Sequence, residues 1–301
     1  MNEAERGRNP GAAGRAGAET GVPTAGVRPC PACGARGTVS SVGGVAPGSS
    51  IRAVRCLACR LVYIDPVPPE ATAHESYGPE YYEPWQGREE RSRLRLWRGR
   101  LRLIEARSRR GTLLDVGCGD GLFLSVAREA GWRVEGIEFS PEGARRSSLR
   151  LGRPVAVGDL ARERVLKGPF DVITLWHVLE HLVEPGPMID ACGARLRPGG
   201  LLVVAVPNLD NLPMQAAYRV ARGRPLPLYE AGAREPHISH FDPPTLSAFL
   251  ARRGFTTVEL RPDRCALTLP KRAVDACAAL LSFASRRLLT DAMVAFCRRS
   301  G

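Results

Sequence analysis

Three groups of residues in this 301-residue sequence have types and spacings that can do chemistry. The first is a pair of Cys-x-x-Cys segments, Cys30-Pro31-Ala32-Cys33 and Cys56-Leu57-Ala58-Cys59. Each can bring two thiolates onto one ion, and two such knuckles make a closed tetrahedral zinc site with no open position for catalysis. A redox role would need a thioredoxin-like unit around one pair, and none is present. The second is Leu113-Leu114-Asp115-Val116-Gly117-Cys118-Gly119-Asp120-Gly121. Glycine is required where backbone turns tightly and where ligand atoms approach the main chain. A dinucleotide fingerprint counted from Gly117 would put its third glycine at Leu122, so the pattern is a different one. The third is a set of imidazoles: His177 and His181, then His237 and His240 in Pro236-His237-Ile238-Ser239-His240-Phe241. Imidazole is the side chain best suited to accept a proton near neutral pH.

These groups need elements to hold them. From 111 onward the pattern alternates between short apolar runs and helical stretches. Strands are expected at 112–116, 133–139, 155–157, 171–175, 201–206 and 254–260, with a last one at 291–297. Helices are expected at 122–130, 141–151, from the fourth strand through 196, at 245–253 and at 272–289. Ser140 and Pro141 carry the N-cap and first-turn signals of the second of these. The alternation predicts a parallel sheet with helices on both faces. Ligands bind such sheets at the carboxyl ends of the strands, where Asp115, Glu138 and Asp159 all fall. A carboxylate at Glu138, 23 residues after Asp115, can accept both hydroxyls of a ribose.

The glycine loop with its preceding acid resembles motif I of class I S-adenosylmethionine-dependent methyltransferases. In that family the acid lies near the methionine amino group, and a carboxylate suits a cationic sulfonium and ammonium. The resemblance implies a bond from Asp159 to the adenine amino group and puts Trp176 among the cofactor contacts. The segment from Phe170 to His181, the Leu196-to-Gly200 turn and Val206-Pro207-Asn208 resemble the same family in its small-molecule branch, over about residues 70–300. It implies that His177, beyond the fourth strand, lies near the transferred methyl, and that His237 and His240 stand near the mouth of the site. Glu180-His181 also resembles part of a metal-binding pattern in ubiquinone-pathway O-methyltransferases. That pattern starts with an acid where this chain has His177, which argues against a catalytic metal. Tyr77, Tyr81 and Tyr82 precede the core, where the family often places a tyrosine over cofactor or substrate. N-terminal zinc ribbons occur in some bacterial members, including sugar-modifying ones.

The expected fold is α/β: a Rossmann-like, doubly wound, mostly parallel seven-stranded sheet with a small zinc-ribbon-like unit before it. The expected division is a disordered tail at 1–28, a separate zinc unit at 29–69, and a linker with an Arg-rich helix at 70–111. The methyltransferase domain follows at 112–301, with a substrate-side insertion at 207–243. Helix 88–110 carries an apolar stripe of Leu94, Trp97, Leu101 and Ile104, with ten arginines around it. Those arginines read as a solvated face, or as a patch for RNA or an anionic substrate. The net charge of +12 points the same way, but only Lys167 and Lys271 are lysines among 43 basic residues, the skew of a GC-rich bacterial coding sequence. No apolar run is long enough to span a bilayer and the first 28 residues contain no secretory h-region, so a cytoplasmic location is expected. The remaining cysteines, 118, 192, 265, 277 and 297, read as small buried residues. The leading functional expectation is methyl transfer from S-adenosyl-L-methionine to oxygen or carbon of a small molecule or glycan. The alternatives are an RNA or protein methyltransferase and a cofactor-binding protein without turnover.

Overall fold

In the computed structural model, the described residues are 26–37, 39–42, 45, 49–72, 78–83, 88–163, 165–233, 235–263 and 269–300. Nearly all of the expected tail, Tyr77 and Cys265 lie outside them.

The chain opens with a meander of three short strands, β1 (Val39–Val42), β2 (Arg52–Cys56) and β3 (Val62–Asp65). Two helices follow, α1 (Pro79–Tyr82) and α2 (Arg88–Glu105). The alternating part then runs β4 (Thr112–Val116), α3 (Leu122–Glu129), β5 (Arg133–Glu138), α4 (Pro141–Leu151), β6 (Ala156–Val157), β7 (Phe170–Trp176), α5 (Pro185–Arg195) and β8 (Leu196–Pro207). The last elements are α6 (Leu212–Arg222), β9 (Ser239–His240), α7 (Pro243–Ala251), β10 (Phe255–Pro262), α8 (Leu269–Ser285) and β11 (Ala292–Arg299).

Seven strands form one sheet in the order β10-β11-β8-β7-β4-β5-β6. The pairs among β4 to β8 are parallel, and β11 inserts antiparallel between β8 and β10. Buried strands read as continuous apolar runs because both faces are covered: all seven residues of β7 are buried. One face packs on α2 and α3 through Leu101, Ile104 and Phe123, with Trp132 joining from the turn after α3. The other packs on Ile189, Leu246 and Phe249.

Several expectations need correction. The cysteine-bearing segment is not a separate unit. β3 pairs with β9, so the small sheet is β1-β2-β3-β9 and borrows its last strand from beyond residue 207. Cys30, Cys56, Leu61 and Tyr63 belong to the same apolar cluster as Leu175, Val204 and Phe241. A unit of about 35 residues has too little core of its own, so it shares its neighbour's. The fourth strand is followed first by a single 3-10 turn, Leu179–His181, and only then by α5. The arginines of α2 are not all solvated. Arg93 and Arg100 are buried, with carboxylate partners in Asp120 and Asp263. α8 covers 269–285 rather than 272–289, and much of its apolar surface faces outward, Cys277 included. No helix among the described residues is long and apolar enough to cross a membrane.

Candidate active site and metal centre

Strand register brings the acids together. Asp115 of β4 stands beside Thr174 of β7, whose hydroxyl donates to its Oδ1 at 2.6 Å. Asp115 is buried, and burial pushes its carboxyl up to about 7. Beyond it, Gly117, Gly119 and Gly121 all have left-handed backbone, with φ of 70°, 55° and 75°. Two of these glycines also answer to packing. A Cβ at Gly117 would lie 2.7 Å from Val178, and one at Gly121 would lie 2.4 Å from the Ser147 hydroxyl of α4. Gly121 caps the start of α3, so its left-handed backbone and the α3–α4 contact account for its glycine.

Glu138 ends β5 and turns its carboxylate onto the loop. Oε2 accepts from the Gly119 amide at 2.8 Å and Oε1 from the Ser140 amide at 2.9 Å. Burial raises its proton affinity, and these amides work against that shift. Tyr82 is buried against it: a Cβ at Gly143 would lie 2.3 Å from the Tyr82 hydroxyl and 2.9 Å from Glu138 Cγ. The Tyr81 hydroxyl donates to Glu235. Asp159 follows β6, half-exposed, and accepts from the Ala161 amide at 2.9 Å. The Gly158 amide donates to the Glu138 carbonyl at 2.9 Å, which keeps the two strand ends in step. The Trp176 side chain is buried in an aromatic nest with Trp97 and Phe123, at centroid distances of 5.8 and 5.7 Å.

His177 has a left-handed backbone, φ 58°, which a non-glycine residue adopts only when its surroundings hold it there. Its amide donates to the Ala205 carbonyl at 3.0 Å. Nδ1 lies 3.2 Å from Glu180 Oε1, and Nε2 lies 3.2 Å from Asp263 Oδ2 and 3.3 Å from Arg100 Nη2. The Arg100 guanidinium lies against both the Trp97 and Trp176 rings, at 4.6 and 4.5 Å from their centroids. Burial works against the charge on Asp263, but Arg100 and His177 hold its carboxyl well below the usual range. Glu180 is also buried, and its His177 hydrogen bond and nearby imidazoles outweigh that burial and keep its carboxyl low.

The other imidazoles divide. Glu180, His181 and His237 bring one ligand atom each within 4.8 Å of one another, a donor set that can take a divalent cation. Burial presses His237 down to about 4, so it is neutral at ordinary pH and available as a ligand. His181 Nδ1 lies 3.2 Å from the Pro236 carbonyl. His240 does not join the group. It pairs through its backbone with Val62 in the small sheet, and its Nε2 is closed off from solvent without a hydrogen-bond partner. The sequence reading missed Asp263 and Arg100. Asp263 follows the end of β10, the same strand-end position that singled out the other acids; Arg100 gave no signal among ten arginines.

The four cysteines converge. Cys30 and Cys59 sulfurs are 3.5 Å apart, Cys33 and Cys56 sulfurs 3.7 Å, and all four lie within 4.8 Å. A tetrahedron of sulfurs around zinc at about 2.3 Å has edges of about 3.8 Å. The two knuckles are built alike. In each the first cysteine's carbonyl accepts from the residue four further on, Gly34 at 2.8 Å and Arg60 at 2.8 Å, and both of those residues have left-handed backbone. The Cys30–Cys59 contact lowers the Cys59 thiol and raises Cys30, as one proton shared between two sulfurs does, and burial raises Cys56; a bound metal would displace those protons.

A doubly wound sheet with a glycine loop after its first parallel strand and acids at three successive strand ends defines a class of nucleotide-type cofactor-binding enzymes. Residues 88–260 match the methyltransferase domain family, and the chain belongs to it. Among curated relatives, the ubiquinone biosynthesis O-methyltransferase of Caulobacter vibrioides is 36% identical over 105 residues, covering 32% of this chain and 41% of that protein. The protein of the same name from Xanthomonas euvesicatoria pv. vesicatoria is 39% identical over 117 residues, covering 36% and 46%. The chain thus spans less than half the length of these relatives. Among solved structures, the 1,6-didemethyltoxoflavin-N1-methyltransferase of Burkholderia thailandensis superposes with a TM-score of 0.51 at 16% identity, over 86% of this chain and all of that one. At that identity the likeness concerns the fold.

Proposed function

We propose that this protein transfers the methyl group of S-adenosyl-L-methionine to a hydroxyl of a small molecule. The observation that carries this reading is the joint placement of Asp115, Glu138 and Asp159 at adjacent strand ends around a left-handed glycine loop, with an imidazole–carboxylate cluster just beyond β7. Asp115 faces the cationic methionine portion, Glu138 holds the ribose hydroxyls and Asp159 the adenine amino group. The loop amide that Glu138 now occupies is the backbone that Gly119 offers. The sulfonium supplies an activated methyl, so the protein has mainly to align the acceptor and remove its proton. His177 takes that proton. Glu180 orients the ring through Nδ1, and the acceptor hydroxyl replaces Asp263 and Arg100 at Nε2. His237 lines the acceptor side from the β9 segment. The named reaction of the ubiquinone-pathway relatives is O-methylation, which supports oxygen as the atom methylated.

The second part of the proposal is a structural zinc held by Cys30, Cys33, Cys56 and Cys59, for which the sulfur spacing is the support. The alternative of an RNA or protein target loses ground, because Arg93 and Arg100 of α2 and Arg107 just past its end are engaged within the protein by Asp120, Asp263 and Glu259. The deciding experiment measures S-adenosylhomocysteine formation with a panel of phenolic, catecholic and sugar acceptors. Cofactor binding by calorimetry with no turnover on any hydroxyl acceptor, but turnover on RNA, overturns the reading.

A further inference from the structure

α8 buries Asp275 and Ala278 and turns an apolar stripe outward. Leu280 is 72% exposed, Leu281 51% and Phe283 89%. Exposed Ala276 and Ala284 fall on the same stripe as Leu280 and Phe283, at helical spacings of three and four. α6 packs against α8 and adds Val220 at 88% and Leu212 at 49% exposure. Single exposed apolar residues need no explanation, but five large ones on two touching helices do.

The charge around them is one-sided. Residues 209–233 and 269–289 hold seven basic side chains and three acidic ones. Of the acids, Asp275 is buried, Asp210 is 3.4 Å from Arg287 and Glu230 is 3.0 Å from Arg224. Arg219, Arg222, Arg272 and Arg286 are exposed.

We propose that the α6–α8 face docks on the surface of an anionic lipid bilayer. A stripe of leucine and phenylalanine flanked by arginines lies in the plane of such an interface: the apolar side chains enter the boundary of headgroups and acyl chains, and the guanidiniums reach the phosphates. α8, at 17 residues with charges in its first turn, lies on the bilayer and does not span it. A single-stranded nucleic acid would use the arginines and stack a base on Phe283, but would leave the aliphatic Leu212, Val220, Leu280 and Leu281 uncovered. A second copy meeting this face about a two-fold axis would set its arginines against their own counterparts. The face is tied to the candidate site's end of the sheet, since Asn208, just past β8, donates to the Leu288 and Thr290 carbonyls at 2.9 and 3.0 Å. It does not depend on which acceptor is methylated.

The test is co-sedimentation of the full chain with vesicles of phosphatidylcholine containing phosphatidylglycerol, and of phosphatidylcholine alone. Retention is expected on the anionic vesicles only, falling as salt rises from about 0.1 M to about 1 M. Leu280→Glu with Phe283→Asp, and separately Arg222→Glu with Arg286→Glu, should each lower retention at least about tenfold, with the melting temperature and cofactor affinity unchanged. Absence of retention on anionic vesicles overturns the proposal, as does retention that neither pair of changes reduces. So does a dimer in light scattering that Phe283→Asp dissolves without any lipid binding, or RNA binding without lipid retention.

Discussion

Replacing Asp115 with asparagine isolates one carboxylate whose charge is in question. Burial holds this acid at about 7 in the cofactor-free protein, against an ordinary value of 3.8. A cationic ligand binds the carboxylate and not the neutral acid, so cofactor affinity should be linked to its titration. The affinity is flat above the shifted value and falls about tenfold for each pH unit below it, ~1.4 kcal/mol per unit. Between about pH 8 and about pH 6 the loss is therefore ~10-fold, and by about pH 5 it is ~100-fold. The linkage to folding has the opposite sense to the usual one for acids. An acid that binds its proton more tightly when folded costs no stability at low pH; the cost grows as pH rises from the unfolded value toward about 7. Titration calorimetry across this range, in buffers of different ionisation enthalpy, reads both the affinity and the proton released. Asp115→Asn should remove the step near pH 7 and weaken binding at about pH 8 by the worth of a charged hydrogen bond, ~1.5–3 kcal/mol or ~10–150-fold. Glu138 is also raised by burial and its charge helps to raise Asp115, so Glu138→Gln should keep the Asp115 step but move it to lower pH. A wild-type affinity that stays constant from about pH 5 to about pH 8, with the fold intact, refutes the reasoning.

Four further outcomes follow from the geometry. Asp263→Asn leaves the Arg100 guanidinium buried without its anion, and should lower stability by about 3–5 kcal/mol in denaturant titration. His177→Ala should cut turnover by ~10²–10⁴ and leave cofactor affinity within about threefold, as for loss of a general base; comparable losses in both would mean that the ring only supports the fold. Purified protein should contain about one zinc per chain, and Cys33→Ser with Cys59→Ser should lose it. In that variant, amide exchange in β9, Ser239–His240, should accelerate, because β9 depends on β3 for its pairing. Gly117→Ala should destabilise by ~1–3 kcal/mol in thermal melts, for its left-handed backbone and the 2.7 Å approach to Val178.

Much of the chemistry was legible along the chain because it is local. The order of strands and helices, the glycine loop and the acids at strand ends follow from short-range periodicity and turn chemistry, which the parallel sheet then places side by side. The cysteine pairs were legible for the same reason, since a knuckle is complete within five residues. The convergence of side chains far apart in sequence could not be read. Arg100 and Asp263 are separated by 163 positions and meet only because α2 and the end of β10 reach the same side of β7. His237 joins Glu180 and His181 because the Ile238 amide donates to the Glu180 carbonyl at 2.6 Å, a contact between two loops that no spacing encodes. α8 shows the limit of apolar composition: it tells that a surface avoids water and leaves open whether the fold or something outside it does the covering.

The sequence by itself therefore determined the type of fold, the glycine loop and the paired cysteine knuckles, each a property of neighbouring residues. Only the tertiary structure decided that the cysteine segment shares a sheet and a core with the catalytic part, that His177 is held from both sides, and that α6 and α8 leave an apolar face bare. Those are outcomes of packing, in which each partner is selected by the shape and burial of the others.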